Sequence, residues 1–105
     1  MKDLQERVKE FTVVNKLDSP EEFRALDLVS EVGEVAKEIL KMTDYGKKPL
    51  VKNEEIEKEL GDVLFSLIVL ANKFDIDLER AINLVLAKYK KRLEKGSAGS
   101  EVEEK

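Results

Sequence analysis

The sequence predicts an all-α protein of one domain, in which four helices run antiparallel to their neighbours. Strand-like alternation is nearly absent, apolar residues recur at helical spacing, and helix-starting residues divide the chain into four segments. A chain of 105 residues fits one domain. Because so short a chain buries a limited core, self-association is a natural supplement to its stability.

The first two helices are predicted from their start signals. Asp3 is expected to be the N-cap of a helix that ends near Lys16. Ser19 is expected to cap the second helix, with Pro20 at its first position, because proline lacks the N–H that a first turn leaves unpaired. The second helix is expected to end near Met42.

The second half of the chain predicts a loop followed by two helices. Residues 43–52 contain glycine and proline and are predicted to form the loop. Asn53 is expected to cap a third helix that ends near Phe74. Asp77 is expected to cap a fourth helix that ends near Lys95.

Neither end of the chain predicts a membrane segment. The start, MKDLQERVKEF, lacks the apolar run of a signal peptide, and the longest apolar stretch, residues 63–71, is too short to cross a bilayer. Residues 96–105 hold glycine, serine and charge, and are predicted to form a disordered tail after a domain of residues 1–95. We therefore expect a cytoplasmic protein without a membrane partner.

The composition restricts the chemistry that is open to the chain. It has no cysteine and no histidine, which excludes disulfides, thiol nucleophiles, histidine bases and most zinc sites. Carboxylates and other oxygen ligands remain, and these favour magnesium, calcium or manganese. The net charge of −4 argues against a nucleic-acid partner, because such proteins usually carry a basic surplus.

The second helix carries a stripe of acids on one side. At 100° per residue, the side chains cluster within about 60° of the helical wheel, opposite a broad apolar arc. The stripe consists of Asp27, Glu31, Glu34 and Glu38. One interpretation is an ordinary solvated face, since acids are mostly surface residues. However, no base interrupts the stripe, so like charges one turn apart repel.

The third helix places Glu59 and Asp62 among apolar residues that cover almost its whole circumference. The helix is therefore predicted to be largely buried. A buried, unpaired carboxylate costs several kcal/mol. Protonation, a metal ion or a salt bridge could remove that cost, and the candidate bases are Lys37, Lys41, Lys58 and Lys73. If the acids of both helices converge, a hard divalent cation is the simplest way to neutralise them.

The two acid pairs form a recognisable pattern. The motif EVGE at residues 31–34 is followed, 24 residues later, by ELGD at residues 59–62. This pattern resembles the metal-binding signature of MazG-type nucleoside triphosphate pyrophosphohydrolases, members of the all-alpha NTP pyrophosphatase superfamily. The resemblance extends through LDLVSEVGEVAKEI, ELGDVLFSLIVLANKFDIDLERAI and AKYKKR, and covers residues 25–92.

The resemblance implies an all-helical fold in which two subunits pack into a shared bundle, as a homodimer or homotetramer. It implies Mg²⁺, with Mn²⁺ as a substitute, held at positions matching Glu31, Glu34, Glu59 and Asp62. The implied reaction hydrolyses a nucleoside triphosphate between its α and β phosphates, which gives a monophosphate and pyrophosphate. Sanitation of the nucleotide pool is a role that this reaction can serve.

Two glutamates are candidates for the catalytic steps. A displacement at phosphorus needs cations that neutralise phosphate oxygens and orient an attacking water. Glu34 is expected to accept a proton from that water, in addition to ligating the metal. Glu38, one helical turn further on, is expected to act as a ligand or to support one through a hydrogen bond.

The fourth helix supplies candidate phosphate ligands. Lys88, Lys91 and Arg92 lie on one face at helical spacing, and the family places a lysine at the position of Lys88. The alternative interpretation is the ordinary basic end of a helix, which the macrodipole favours.

The chain departs from the family pattern at the expected base pocket. Ser30 stands where many members have an acid, Arg92 where relatives often have an asparagine, and no tryptophan is present to stack on a base. The alternative function is a non-enzymatic helical dimerisation module with a solvated acidic face. Exposure of Glu59 and Asp62 would favour that alternative.

Overall fold

The computed structural model describes residues 1–96, which form four α-helices joined by turns and one longer loop. The helices are α1 (Lys2–Val14), α2 (Glu21–Met42), α3 (Glu55–Lys73) and α4 (Leu78–Glu94). No strand occurs in this part of the chain, so the all-α prediction is confirmed. Apart from Gly96, the predicted tail of residues 96–105 lies outside the described residues.

The first three helices pack antiparallel around α3. Asp18, just before α2, pairs with Lys73 at the end of α3, with 2.9 Å between Oδ1 and Nζ. Asn72, also near the end of α3, bonds Gln5 at the start of α1. Phe11, further along α1, meets Phe65 edge to face, with 6.2 Å between ring centroids. Both α1 and α2 therefore run opposite to α3.

The helix starts agree only in part with the capping predictions. The prediction for Asp3 is wrong, since α1 begins at Lys2 without a side-chain cap. The prediction for Ser19 is also wrong, because Pro20 is extended, with ψ of 154°, and itself occupies the N-cap position. Asp77 caps α4 as predicted and accepts from the backbone N–H groups of Glu79 and Arg80. The predicted ends of the helices agree to within two residues.

A single row of side chains forms the inward face of α2. Its spacing alternates between four and three residues, which is the period that keeps one helix face against a neighbour. The buried and half-buried members of α2 are Arg24, Leu28, Glu31, Val35, Glu38 and Met42. Two glutamates thus lie in the row that packs inward.

The apolar face of α2 points away from the rest of the chain. Leu26 is 63% exposed, Val29 68% and Val32 50%, and Ile39 and Leu40 are also exposed. An amphipathic helix on the surface of a monomeric globular protein turns its apolar side to the core instead. The packing of α2 is therefore complete only if something covers this face.

The prediction that α3 is largely buried is wrong for the single chain. Leu60, Leu64 and Leu67 are exposed, because α1 and α2 cover only part of the helix circumference. The fully or nearly buried positions of α3 are Ser66, Ile68, Val69 and Ala71. The buried apolar side chains of the described chain are thus few: three lie in the second half of α3, and Met42 lies at the end of α2.

Gln5 connects α1 to the turn before α4. It is buried, and its Nε2 donates to the backbone oxygen of Ile76 at 2.8 Å. Its Oε1 accepts from the backbone N–H of Leu78 at 2.9 Å. Beyond this anchored start, α4 has no buried residue. Among residues 1–96, no helix combines the length and apolar character that crossing a membrane requires.

Candidate metal centre

The acids of α2 occupy two different environments. Glu31 is half-buried and Glu38 is buried, because both lie in the inward row. Asp27 and Glu34 are exposed, at the edge of the same stripe. The stripe is therefore not the solvated face of an ordinary amphipathic helix, since half of it turns toward α3.

Three carboxylates from the two helices converge. One oxygen from each of Glu31, Glu59 and Asp62 lies within 4.8 Å of the other two. Glu59 is half-buried, while Asp62 is exposed, so the cluster opens to the surface of the chain. Glu34 is not a member of this group. The structure thus brings together three of the four side chains that the sequence predicted as metal ligands.

The pKa of Glu59 is raised above its ordinary value of 4.5. The main cause is partial burial, which removes water from the charged carboxylate. Repulsion adds to it, in decreasing order, from Asp62, Glu34, Glu38 and Glu31. The negative charges of the other four predicted acids therefore all act on Glu59.

Positive side chains do not neutralise the three converging acids. Of the bases that the sequence offered, Lys73 pairs with Asp18, and Lys41 lies 3.6 Å from Glu38 Oε1. The remaining ion pairs among residues 1–96 also lie away from the cluster, at Arg24–Asp27 and at the amino terminus with Glu79. A salt bridge therefore does not explain Glu31, Glu59 and Asp62.

The chemistry of this cluster fits a hard divalent cation. Carboxylate oxygens are the ligands that Mg²⁺ and Mn²⁺ prefer. The three side chains come from two rigid helices, so their oxygens are already gathered in one place. A cation would remove the repulsion that raises the pKa of Glu59.

Glu38 has a hydrogen-bond partner that the sequence does not predict. Its Oε2 accepts from Asn53 Nδ2 at 2.6 Å. The sequence predicted Asn53 only as the cap of α3, and that prediction is wrong by one residue, because Glu54 occupies the N-cap position. Asn53 Oδ1 nevertheless accepts from the backbone N–H of Ile56 at 3.2 Å. Only the interhelical contact reveals the second role, because no local pattern indicates it.

The basic residues of α4 form a separate surface. Lys88 Nζ lies 5.1 Å and Arg92 Cζ lies 5.8 Å from the centroid of the Tyr89 ring. A shallow cavity of about 410 Å³ lies beside them. It is lined by Leu84, Ala87, Lys88, Lys91, Arg92 and Lys95. None of these cations forms an ion pair with the carboxylate cluster within residues 1–96.

The chain matches a protein-family model over most of its length. Residues 20–97 match the MazG nucleotide pyrophosphohydrolase domain. The uncharacterized protein YpjD of Bacillus subtilis strain 168 is 44% identical over 68 residues, which is 62% of this chain. The match spans 60% of the length of that relative.

Two solved structures share the fold. The Bacillus-conserved MazG protein, described as a nucleotide pyrophosphohydrolase, superposes with a TM-score of 0.71 at 36% identity, over 84% of this chain and 86% of that one. The crystal structure of YPJD from Bacillus subtilis gives a TM-score of 0.72 at 36% identity, over 84% of this chain and 92% of that one. With the matched domain and the shared helices, this chain belongs to the MazG nucleotide pyrophosphohydrolase family of hydrolases.

Proposed function

We propose that this protein hydrolyses nucleoside triphosphates between the α and β phosphates, and that Mg²⁺ or Mn²⁺ serves as its cofactor. The observation that carries the proposal is the convergence of Glu31, Glu59 and Asp62 from two helices, with no salt bridge to any of them among residues 1–96. Family membership supports the class of reaction. The similar Bacillus-conserved MazG protein is described as a nucleotide pyrophosphohydrolase, which supports it further.

The three converging carboxylates would hold the metal. When bound, the cation supplies positive charge to the phosphate oxygens and lowers the pKa of a coordinated water. Glu34 projects beside Glu31 at a spacing of three residues, and its charge acts on Glu59. Because Glu34 is exposed, it remains free to complete the ligand set or to accept a proton from the attacking water.

Glu38 is held further inside the chain than the other acids. Its side chain is buried and bonded to Asn53, so it supports the centre from behind rather than facing the open side. We assign it a supporting catalytic role, in which its negative charge adds to the attraction of the cluster for a cation. A supporting carboxylate of this kind tunes the ligands that it contacts.

We propose that Lys88, Lys91 and Arg92 bind phosphates of the substrate. Their cavity on α4 is open and strongly basic, which suits a polyanion. In the single chain this surface is not joined to the carboxylates by any ion pair within residues 1–96. The proposal therefore requires that assembly of subunits bring a basic helix over a carboxylate cluster.

We propose that two copies of the chain pair through their exposed apolar faces. Those of α2 lie on one side of the helix, and α4 adds Ile82, Leu84, Leu86 and Leu93, each about half exposed or more. Large exposed apolar surfaces are rare on monomers and mark interfaces. A homodimer is the smallest assembly that covers it, and a homotetramer of two dimers is compatible with it.

A second function remains a candidate because Asp62 is exposed. A dimerisation module without catalysis would need the apolar faces but no metal. It would not, however, explain why α2 and α3 bring Glu31 and Glu59 together at the cost of repulsion. Metal binding distinguishes the two functions.

The products of the reaction test the proposed cleavage point. Incubation with a panel of nucleoside triphosphates and Mg²⁺ should release pyrophosphate and a nucleoside monophosphate, measured by ion-exchange chromatography. Omission of the metal should abolish release, because the cluster would then repel the substrate phosphates. Release of orthophosphate and a diphosphate would contradict the proposal.

The pH dependence of stability tests the repulsion at Glu59. Without metal, the folded state binds a proton more readily than the unfolded state between pH 4.5 and the raised pKa. The free energy of unfolding should therefore fall as pH rises through that window.

Mg²⁺ binds the ionised form, so its stabilising effect should grow over the same window. Thermal melts in EDTA and in Mg²⁺ measure both, and Glu59→Gln should weaken both trends. A melting curve that saturating Mg²⁺ leaves unchanged would count against a metal site.

Two substitutions test the proposed ligands. Glu34→Gln and Asp62→Asn should each lower kcat by about two orders of magnitude or more, since each removes a charge from the metal centre. Circular dichroism should show intact helices. Glu57→Gln, at an exposed position of α3 outside the cluster, is the matched control and should keep full activity. Full activity in either test variant would remove that residue from the centre.

The oligomeric state tests the apolar interface. Analytical ultracentrifugation should show a dimer or tetramer for the unmodified protein. Val29→Lys places a charge in the exposed apolar face of α2 and should shift the population to monomers, because an unpaired charge at a covered site is costly. Lys37→Gln, an exposed polar site on the same helix, is the control. A monomeric unmodified protein would contradict the pairing.

A further inference from the structure

Asn53 bonds two helices with one side chain. Its Oδ1 accepts from the backbone N–H of Ile56 in the first turn of α3, at 3.2 Å. Its Nδ2 donates to Glu38 Oε2, near the end of α2, at 2.6 Å. An asparagine amide has a donor and an acceptor on opposite sides, so it can make both bonds at once. An aspartate could make only the first, because its carboxylate has no donor, and the side chain of a serine is too short to span both partners.

Glu38 depends on this bond because it is buried. Only 7% of the residue is exposed, and the nearest cation, Lys41 Nζ, lies 3.6 Å from the other oxygen with a side chain that is 54% exposed. A buried carboxylate needs hydrogen-bond donors to keep a fixed orientation. Asn53 is the donor at hydrogen-bond distance among residues 1–96.

The segment before Asn53 is itself held in place. The backbone N–H of Val51 donates to the oxygen of Met42 at 3.1 Å, and the N–H of Asn53 lies 3.3 Å from Met42 Sδ. The backbone that carries Asn53 is therefore held by Met42 on α2, while the Asn53 side chain is bonded to the first turn of α3. The contact between Asn53 and Glu38 is therefore fixed by several hydrogen bonds at once, unlike a contact between two freely moving surface side chains.

The two bonds of Asn53 reach the carboxylate centre from both helices. Ile56 lies three residues before Glu59, so the first turn of α3 carries Glu59 directly above it. On α2, Glu38 follows Glu31 by two turns on the same inward row. Fixing Glu38 against the start of α3 thus sets the position of the α2 segment that carries Glu31 relative to the α3 segment that carries Glu59.

We propose that Asn53 is a positioning residue of the metal centre, which orients Glu38 and fixes the register between α2 and α3. This inference depends on the proposed function, because it assumes that the carboxylates bind a divalent cation. Among residues 1–96, the side-chain hydrogen bonds of Asn53 go to Glu38 and to the backbone of Ile56, and not to the converging carboxylates. Its effect passes through Glu38 and the spacing of the two helices.

The test separates this role from helix capping. Asn53→Ser keeps an efficient capping residue for α3 but cannot reach Glu38. Its affinity for Mn²⁺, measured by calorimetry or electron paramagnetic resonance, should fall about ten- to a hundredfold, as for other residues that support metal ligands. The melting temperature in EDTA should stay close to that of the unmodified protein. Asn83→Ser, at an exposed position of α4, is the matched control and should bind Mn²⁺ normally.

A double-mutant cycle identifies the route of the effect. If Asn53 acts through Glu38, adding Asn53→Ser to Glu38→Gln should lower Mn²⁺ affinity little further, because the two changes share one interaction. Unchanged Mn²⁺ affinity in Asn53→Ser would overturn the inference while the proposed function stood. Equal and additive losses, or a matching loss of melting temperature in EDTA, would overturn it in favour of a purely structural role. Absence of Mn²⁺ binding in the unmodified protein would overturn the proposed function and this inference together.

Discussion

Mutual repulsion between carboxylates on two packed helices is the constraint around which this chain is organised. The inward row of α2 contains Glu31 and Glu38, and α3 brings Glu59 to meet them. Ordinary packing would place apolar side chains there, because like charges in a partly dry contact oppose folding. The chain instead accepts the repulsion within the α2–α3 contact, while most of its few buried apolar side chains lie in the second half of α3, around Ile68.

This arrangement also accounts for the apolar surface. The acidic stripe and the apolar arc lie on opposite sides of α2. When the acidic stripe faces α3, the apolar arc therefore faces outward. Val29 and Val32 are exposed for that reason, and not because the helix lacks apolar residues. Under the proposed function, the metal centre and the subunit interface would both follow from this one orientation of α2. Pairing of two chains would then cover the apolar surface that this orientation exposes.

Much of this could be predicted from the sequence, and the remainder could not for a physical reason. Helical spacing gave four helices with ends accurate to two residues, and the paired motifs identified Glu31, Glu59 and Asp62. A helical wheel, however, orders the faces of one helix by polarity and does not state which face meets which neighbour. The burial of Glu38, its bond to Asn53 and the exposure of the leucines on α3 all depend on that choice.

The bonds of Gln5 have a consequence for the order in which the molecule can fold. They join residues separated by 67 to 73 positions, whereas the α2–α3 hairpin closes through a loop of a dozen residues. Closing a long chain segment costs more entropy and is slower than closing a short one. The α2–α3 hairpin, which carries the acids, can therefore form early. The docking of α1 and the orientation of α4 can follow only after the last turn of α3 has formed, because Gln5 bonds there. The helix α1 precedes the other three along this sequence, yet it is among the last to dock.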